Sequence, residues 1–392
     1  MEESPDKLAP ILDALPRDRD ALAELREMIL ANAVMCGEIP SPTFEEERLV
    51  RFLCDRFTES GLENISVDEM GNAAGILTGT KGTRDILVVS HVDKIWERSS
   101  DHTVTVSADS LTGRGIADNS LGTAVLATLP AILDHLGLRL TSNLVLLGAT
   151  RSLGRGDLGG LRFFLGNTQR HISAALCVEG MQIERLSFSC LGMLRGEILV
   201  TLKSAGPRTR IGSAGAIAPM NRIVQRMLAI ERPERPATEI LLGSVDAGSA
   251  FNVAPRQARL RFEVRSEDGD RVNRIEERIR EIVDEITAGH EARAELVIIA
   301  RRDPGDIGFS HPLVKATREI METLGVTPAI DPSMSELAAL LQHGIPALTI
   351  GLTRGDDRHS PTESIEIEPI FTGIAQLVGV LRHIDATLAS DE

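Results

Sequence analysis

The sequence predicts an α/β protein: a mostly parallel-core sheet with helices on both faces, plus an inserted α+β domain. Three observations carry this. Four short apolar runs, ILVVSHVD (86–93), NLVLLGAT (143–150), AALCVEG (174–180) and ALTIGL (347–352), are bounded by turn residues, as strands buried on both faces of a sheet are. Helical stretches lie between them, notably NSLGTAVLATLPAILDHL (119–136), which is the alternation of a doubly wound sheet. The middle of the chain has a different texture, with alternating apolar and polar runs and strongly amphipathic helices.

In chain order, residues 7–62 read as helices. ALAELREMILANAVM and FEEERLVRFLCDRFTESG both place apolar residues at helical spacing, Gly61 stops the second, and IPSPT breaks the chain between them. In the middle, GEILVTLKS, ARLRFEVRS and ARAELVIIAR read as strands and MNRIVQRMLAIE and DRVNRIEERIREIVDEITAG as helices. With one further strand beside these three, they suggest an insert of four strands and two helices over 193–302. The first domain is then 1–192 and 303–392, with the last strand and helix (346–388) returning to its sheet.

Bulk properties narrow the function. At 392 residues, two domains are expected, and 42% hydrophobic and 25% charged residues describe an ordinary globular chain. A net charge of −15 disfavours nucleic acid and anionic membrane surfaces as partners. With one Trp and no Tyr, stacking on bases is not a plausible function. The cysteines, Cys36, Cys54, Cys177 and Cys190, show no C-x-x-C spacing and read as thiols of a reducing compartment. The N-terminus lacks a signal-peptide pattern and no long unbroken apolar run stands out, so a cytoplasmic protein is expected.

The chemistry-bearing residues cluster at the C-terminal ends of the apolar runs, the edge where open α/β sheets build sites. His91 and Asp93 follow ILVVS, Glu179 follows ALCV, and His359 lies beyond ALTIGL. Asp118 precedes a helix, where its charge also suits the helix N-terminus. One histidine is more often a satisfied polar group than a ligand, but here imidazoles and carboxylates recur at several strand ends. That mixture suits zinc or a similar divalent ion, and in H-x-D the Asp can orient the imidazole. His102, His135 and His171 fit no motif. Ser152 lacks a G-x-S-x-G elbow and a traceable triad, so a nucleophilic role for it is not supported.

These ordered motifs resemble the co-catalytic zinc metallopeptidases of peptidase T, carboxypeptidase G, aminoacylase and succinyl-diaminopimelate desuccinylase. EIPSPTFEEE, VDEMGN, SHVDKIW, GRGIADNSLGTA, SAFNVAPRQARLRFEVRS and GIPALTIGLTRGDDRHSPTES match that family's segments in order, nearly end to end. The resemblance implies a zinc-peptidase-like catalytic domain with an inserted lid, often a dimerisation surface, hence a possible homodimer. Asp118 would bridge two metals, His91 and Glu179 would complete one site, His359 would belong to the other, and Asp93 would orient His91. Asn252 and Arg265 would be the lid's substrate-binding residues. The ligand would be a small peptide or N-acyl amino acid, the metal Zn2+, with Co2+ or Mn2+ as substitutes.

The chain departs from the family at one decisive place. After NLVLLGAT the family carries a Glu-Glu pair, the general base and a metal ligand. Aligned on GDLGG, that pair falls on Ser152 and Leu153, and no acidic residue lies between His135 and Gly156. The lid histidine is also missing; Arg208 and Arg210 stand in its region, GPRTRIGSAG. A late TDAN-like motif reads Ser335-Glu336-Leu337-Ala338. The expectation is one metal at most, held by His91, Asp118 and Glu179, with catalysis impaired or lost. The alternative is an active metal-dependent hydrolase in which another group supplies the base.

Overall fold

The structure, a computed structural model, describes residues 7–202, 214–288 and 292–389. The chain forms two compact units: one runs to Ser189 and resumes at Asp306, the other is Cys190–Gly305. Three helices open the chain, α1 (Ala9–Leu22), α2 (Arg26–Glu38) and α3 (Glu47–Glu59), followed by strands β1 (Glu63–Val67), β2 (Ala73–Leu77) and β3 (Asp85–His91). Then come α4 (Leu121–His135), β4 (Asn143–Ala149), α5 (Gly159–Asn167), β5 (Ile172–Met181) and β6 (Leu186–Ser187). The second unit holds β7 (Gly192–Leu202), α6 (Ile217–Leu228), β8 (Thr238–Ala247), β9 (Gln257–Ser266), α7 (Gly269–Thr287) and β10 (Ala292–Arg302). The chain returns through α8 (Pro312–Thr323), α9 (Leu337–Gln342), β11 (Ala347–Thr353) and α10 (Glu368–Leu388).

The first unit's large sheet has the order β1-β2-β4-β3-β5-β11-β6. Its centre, β4-β3-β5-β11, is parallel, and antiparallel strands flank it on both sides. The four apolar runs of the sequence are these four central strands. Every residue of β3, β4 and β11 is buried, so both sheet faces are covered, which is why these strands read as unbroken apolar runs. Helix α4 is buried along almost its whole length; Ile116–His135 is apolar and long enough to cross a membrane by composition alone, but it is a core helix.

Register positions the site. On β3 and β5, Val89 pairs with Cys177 in parallel. His91 and Glu179 each lie two residues further on, so they come level on adjacent strands and face the same side.

In the second unit the sheet is antiparallel, in the order β8-β9-β7-β10. Ile198, Leu260 and Phe262 of the strands pack with Ile223 of α6 and Ile279 of α7 in one core. The amphipathic patterns of α6 and α7 are explained by this packing. Asp268 caps α7 by accepting a hydrogen bond from Asp270 N at 2.9 Å.

Candidate metal centre

Three of the sequence-predicted residues converge. His91, Asp118 and Glu179 are all buried, and one ligand atom from each lies within 4.8 Å of the others. His91 ends β3 and Glu179 sits near the end of β5. Asp118 comes from the turn Ile116–Ser120 that leads into α4. Gly180 lets this turn approach β5: a Cβ there would stand 2.4 Å from Ala117 O. The glycine of CVEG is therefore a close-approach glycine that brings Asp118 beside Glu179.

The imidazole of His91 is held from behind. Its Nδ1 lies 3.1 Å from Asp93 O and 3.5 Å from Asp93 Oδ1. The main-chain oxygen is the nearer acceptor for an Nδ1 proton, and in the neutral ring this leaves Nε2 as the lone-pair nitrogen. Nε2 faces Asp118 Oδ1 at 3.0 Å, yet Oδ1 has no hydrogen-bond partner of good geometry. Asp93 Oδ2 accepts hydrogen bonds from Thr43 Oγ1 (2.8 Å) and Leu153 N (2.9 Å).

His359 joins Asp118 on its other oxygen: His359 Nε2 to Asp118 Oδ2 is 2.7 Å. Arg358 donates to the same oxygen from Nε (3.0 Å) and Nη2 (2.8 Å). Burial would raise the Asp118 pKa, but the imidazoles of His359 and His91 and the Arg358 guanidinium outweigh it and hold the carboxyl well below its usual range. Burial likewise works against a charged His91, and the carboxylates of Asp118, Asp93 and Glu336 overcome it, raising its pKa well above the usual value.

The segment that replaces the Glu-Glu pair is firmly placed. Thr150 N donates to Asn72 Oδ1 (2.9 Å), Arg151 N to Glu46 Oε1 (2.8 Å) and Leu153 N to Asp93 Oδ2. Asn72 in turn donates from Nδ2 to Gly160 O at 2.8 Å, tying VDEMGN to GDLGG. Ser152, which the resemblance aligns with the family's base, is buried. Within the segment there is no carboxylate, but Glu336, immediately before α9, comes to Ser152 from far along the chain. Burial raises the Glu336 pKa, His91 and the Ser152 hydroxyl counter this, and Glu179 adds to it. The contact between the two is close without being a well-formed hydrogen bond: Ser152 Oγ and Glu336 Oε1 both lack a partner of good geometry.

Sequence reasoning names the Ser335–Ala338 motif only as a departure and does not place Glu336 at the centre. It also passes over Glu363, the last residue of the H-x-x-x-E spacing that starts at His359. Glu363 is fully buried; Oε1 accepts from Ala117 N (2.7 Å) and Asp118 N (3.0 Å), and Oε2 from His359 N (3.0 Å). One carboxylate thus clamps the two loops that deliver Asp118 and His359. Lys94, after Asp93, is a further unanticipated group. Its buried ammonium donates to Cys36 O (2.6 Å), Gly37 O (2.9 Å) and Ile39 O (2.9 Å), and burial pulls its pKa down to about 8.

The lid residues belong to the second unit. Asn252 is exposed in the turn before β9, whereas Arg265 lies near the far end of that strand. Arg265 Nε donates to Glu263 Oε1 at 2.6 Å. Arg208 and Arg210 lie outside the described residues. His102 and His135 meet main-chain oxygens, Glu97 O at 3.0 Å and Ala21 O at 3.2 Å, consistent with structural roles. All four cysteines are free thiols.

A divalent ion fits the first cluster. One imidazole and two carboxylates are a suitable zinc donor set with room for an open position, and the orphaned Asp118 Oδ1 lies 3.0 Å from His91 Nε2. A second ion would have to compete with Arg358 and His359 for Asp118 Oδ2, and Leu153 offers no ligand side chain. An ion binding at His91 must displace the proton that the surrounding carboxylates favour there. Below the raised His91 pKa, metal affinity is expected to rise about tenfold per pH unit, with about one proton released. Calorimetric zinc titration in buffers of different ionisation enthalpy measures this; a pH-independent affinity would contradict the assigned ligand.

Comparison with known proteins bears on the fold. Residues 193–291 match the peptidase dimerisation domain of the M20 group. No curated protein matches the chain by sequence. Among solved structures, it is similar to the di-peptidase Dug1p of Saccharomyces cerevisiae, with 12% identity, a TM-score of 0.79, and 95% of this chain and 99% of that one covered. Aminopeptidase PepT of Bacillus cereus shows 16% identity and a TM-score of 0.70, covering 91% and 98%. The YXEP protein of Bacillus subtilis, described as a dinuclear metal-binding peptidase of the M20 family, shows 17% identity and a TM-score of 0.64, covering 92% and 99%. The chain has the fold of the M20 peptidases and carries their dimerisation domain over residues 193–291.

Proposed function

We propose that this chain is a metal-binding protein of the aminoacylase and peptidase T type whose peptide-bond hydrolysis is impaired or lost. In this reading one Zn2+, replaceable by Co2+ or Mn2+, is held by His91, Asp118 and Glu179. A small peptide or N-acyl amino acid is the ligand, with Asn252 and Arg265 contributing from the inserted domain. The protein works in the cytoplasm as a homodimer through that domain. The observation that supports it best is the pairing of a buried three-residue donor set with Ser152 and Leu153 in the segment where a base and a further ligand are expected.

The test is hydrolysis of a panel of N-acyl amino acids, dipeptides and tripeptides with zinc, cobalt or manganese added. Wild type is expected to show little or no turnover. Substantial turnover that is abolished by His91→Ala would overturn this reading. Restoring Ser152→Glu together with Leu153→Glu is expected to raise hydrolysis by about 10²-fold or more, the usual scale of a general base.

Glu336 favours a second reading, in which hydrolysis persists and this buried carboxylate takes the proton from the attacking water. Glu336→Gln would then lower turnover by about 10²–10⁴-fold while zinc retention stayed unchanged. Wild-type turnover that survives this change would remove Glu336 from the reaction.

A further inference from the structure

Two oxygens of one carboxylate serve two different neighbours at Asp118. Oδ1 faces His91 Nε2 at 3.0 Å. Oδ2 faces His359 and receives two N–H groups of Arg358, at 2.8 and 3.0 Å. The guanidinium thus occupies the Asp118 oxygen that an ion shared between Asp118 and His359 would need. Among the described residues, only His91, Asp118 and Glu179 form a set of three possible metal donors.

The arrangement is built rather than incidental. Asp118 is buried and Arg358 is only 34% exposed, so the contact is largely withdrawn from water. Glu363 holds both ends of it, through Ala117 N and Asp118 N on one side and His359 N on the other. Asp357 and His359, on either side of Arg358, adopt left-handed φ values of 56° and 67°. Such conformations cost free energy for non-glycine residues and persist where the surroundings impose them.

We propose that Arg358 is the built-in second cation of this centre: its guanidinium takes the Asp118 Oδ2 face, so the site accepts one metal ion and the chain supplies the other positive charge. The inference rests on the metal-binding reading above. It also explains how the centre tolerates Leu153 in place of a ligand. With a guanidinium on Oδ2, no ion remains there to be coordinated.

The test is zinc binding to the full chain, by native mass spectrometry and by anomalous diffraction from zinc-soaked crystals. Wild type is expected to hold one zinc among His91, Asp118 and Glu179, with Arg358 still on Asp118. Two zinc ions, with Arg358 swung away, would overturn this inference and leave the metal-binding reading standing; no zinc at all would overturn both. Arg358→Lys keeps a cation and is expected to stay at one zinc. Arg358→Asp removes the cation, adds a carboxylate beside Asp118 and His359, and is expected to raise the stoichiometry from one to two. A folded Arg358→Asp chain that still holds one zinc would show that Arg358 does not exclude the second ion.

Discussion

Asp118→Asn is expected to abolish zinc retention at neutral pH, lowering affinity by at least about a hundredfold. Loss of a group that only supports a ligand typically costs 10–100-fold, and Asp118 is placed as a ligand itself. The change preserves shape but removes the charge on which the centre is organised. Asp118 meets His91 through Oδ1 and His359 and Arg358 through Oδ2. An amide can accept on one atom only, so either the His91 side or the Arg358 side loses its acceptor. The raised His91 pKa should fall as well, because Asp118 is the first of the neighbours that raise it. Histidine titration followed by NMR on the metal-free protein measures this second effect. An Asp118→Asn chain that retained zinc on dialysis would contradict the assignment of Asp118.

The second large effect is on stability. Lys94→Met is expected to destabilise the chain by about 3 kcal/mol or more, because hydrogen bonds to charged groups contribute about 1.5–3 kcal/mol each and their loss leaves buried acceptors unpaired. Three carbonyls depend on this ammonium: those of Cys36 and Gly37 in the last turn of α2 and that of Ile39 just beyond. The end of a helix leaves carbonyls without intrahelical partners, and a cation there satisfies them and suits the helix dipole. Lys94 N also donates to Ser41 O at 2.8 Å, and Ser41 Oγ to Val92 O at 2.8 Å. The lysine therefore stitches the end of α2 to the strand end that carries His91 and Asp93. Urea denaturation of the full chain measures the loss; an unchanged midpoint would show that these carbonyls do not need the ammonium.

Much of the fold is legible in the sequence because its signals are local. Full burial of both faces makes β3, β4, β5 and β11 read as continuous apolar runs, and amphipathic periodicity marks α3, α6 and α7. His91 and Glu179 are legible for a related reason: a parallel sheet aligns its strand ends, so polar residues at the ends of such runs gather at one edge; Asp118, in the turn before α4, is legible from its motif, GRGIADNSLGTA. Gly180 stands out in the sequence only as a neighbour of Glu179, and its role becomes clear from the approach of Ala117.

The less legible residues act over long sequence distances. Glu336 and Ser152 sit on segments that no local pattern links, and their meeting depends on how α9 packs. Arg358 escapes notice because the adjacent His359 fits a ligand motif and an arginine beside it reads as a solvated charge. Lys94 directly follows the H-x-D motif, and nothing in the sequence tells that its side chain turns to the end of α2. In each case the missing information is the direction of one side chain.

The most direct test of the account is the metal content of purified wild-type protein, offered zinc, dialysed, and measured by elemental mass spectrometry. About one zinc per chain is expected, lost in His91→Ala, as a single centre of one imidazole and two carboxylates requires. A chain that holds no zinc, or holds it equally well without His91, would contradict it.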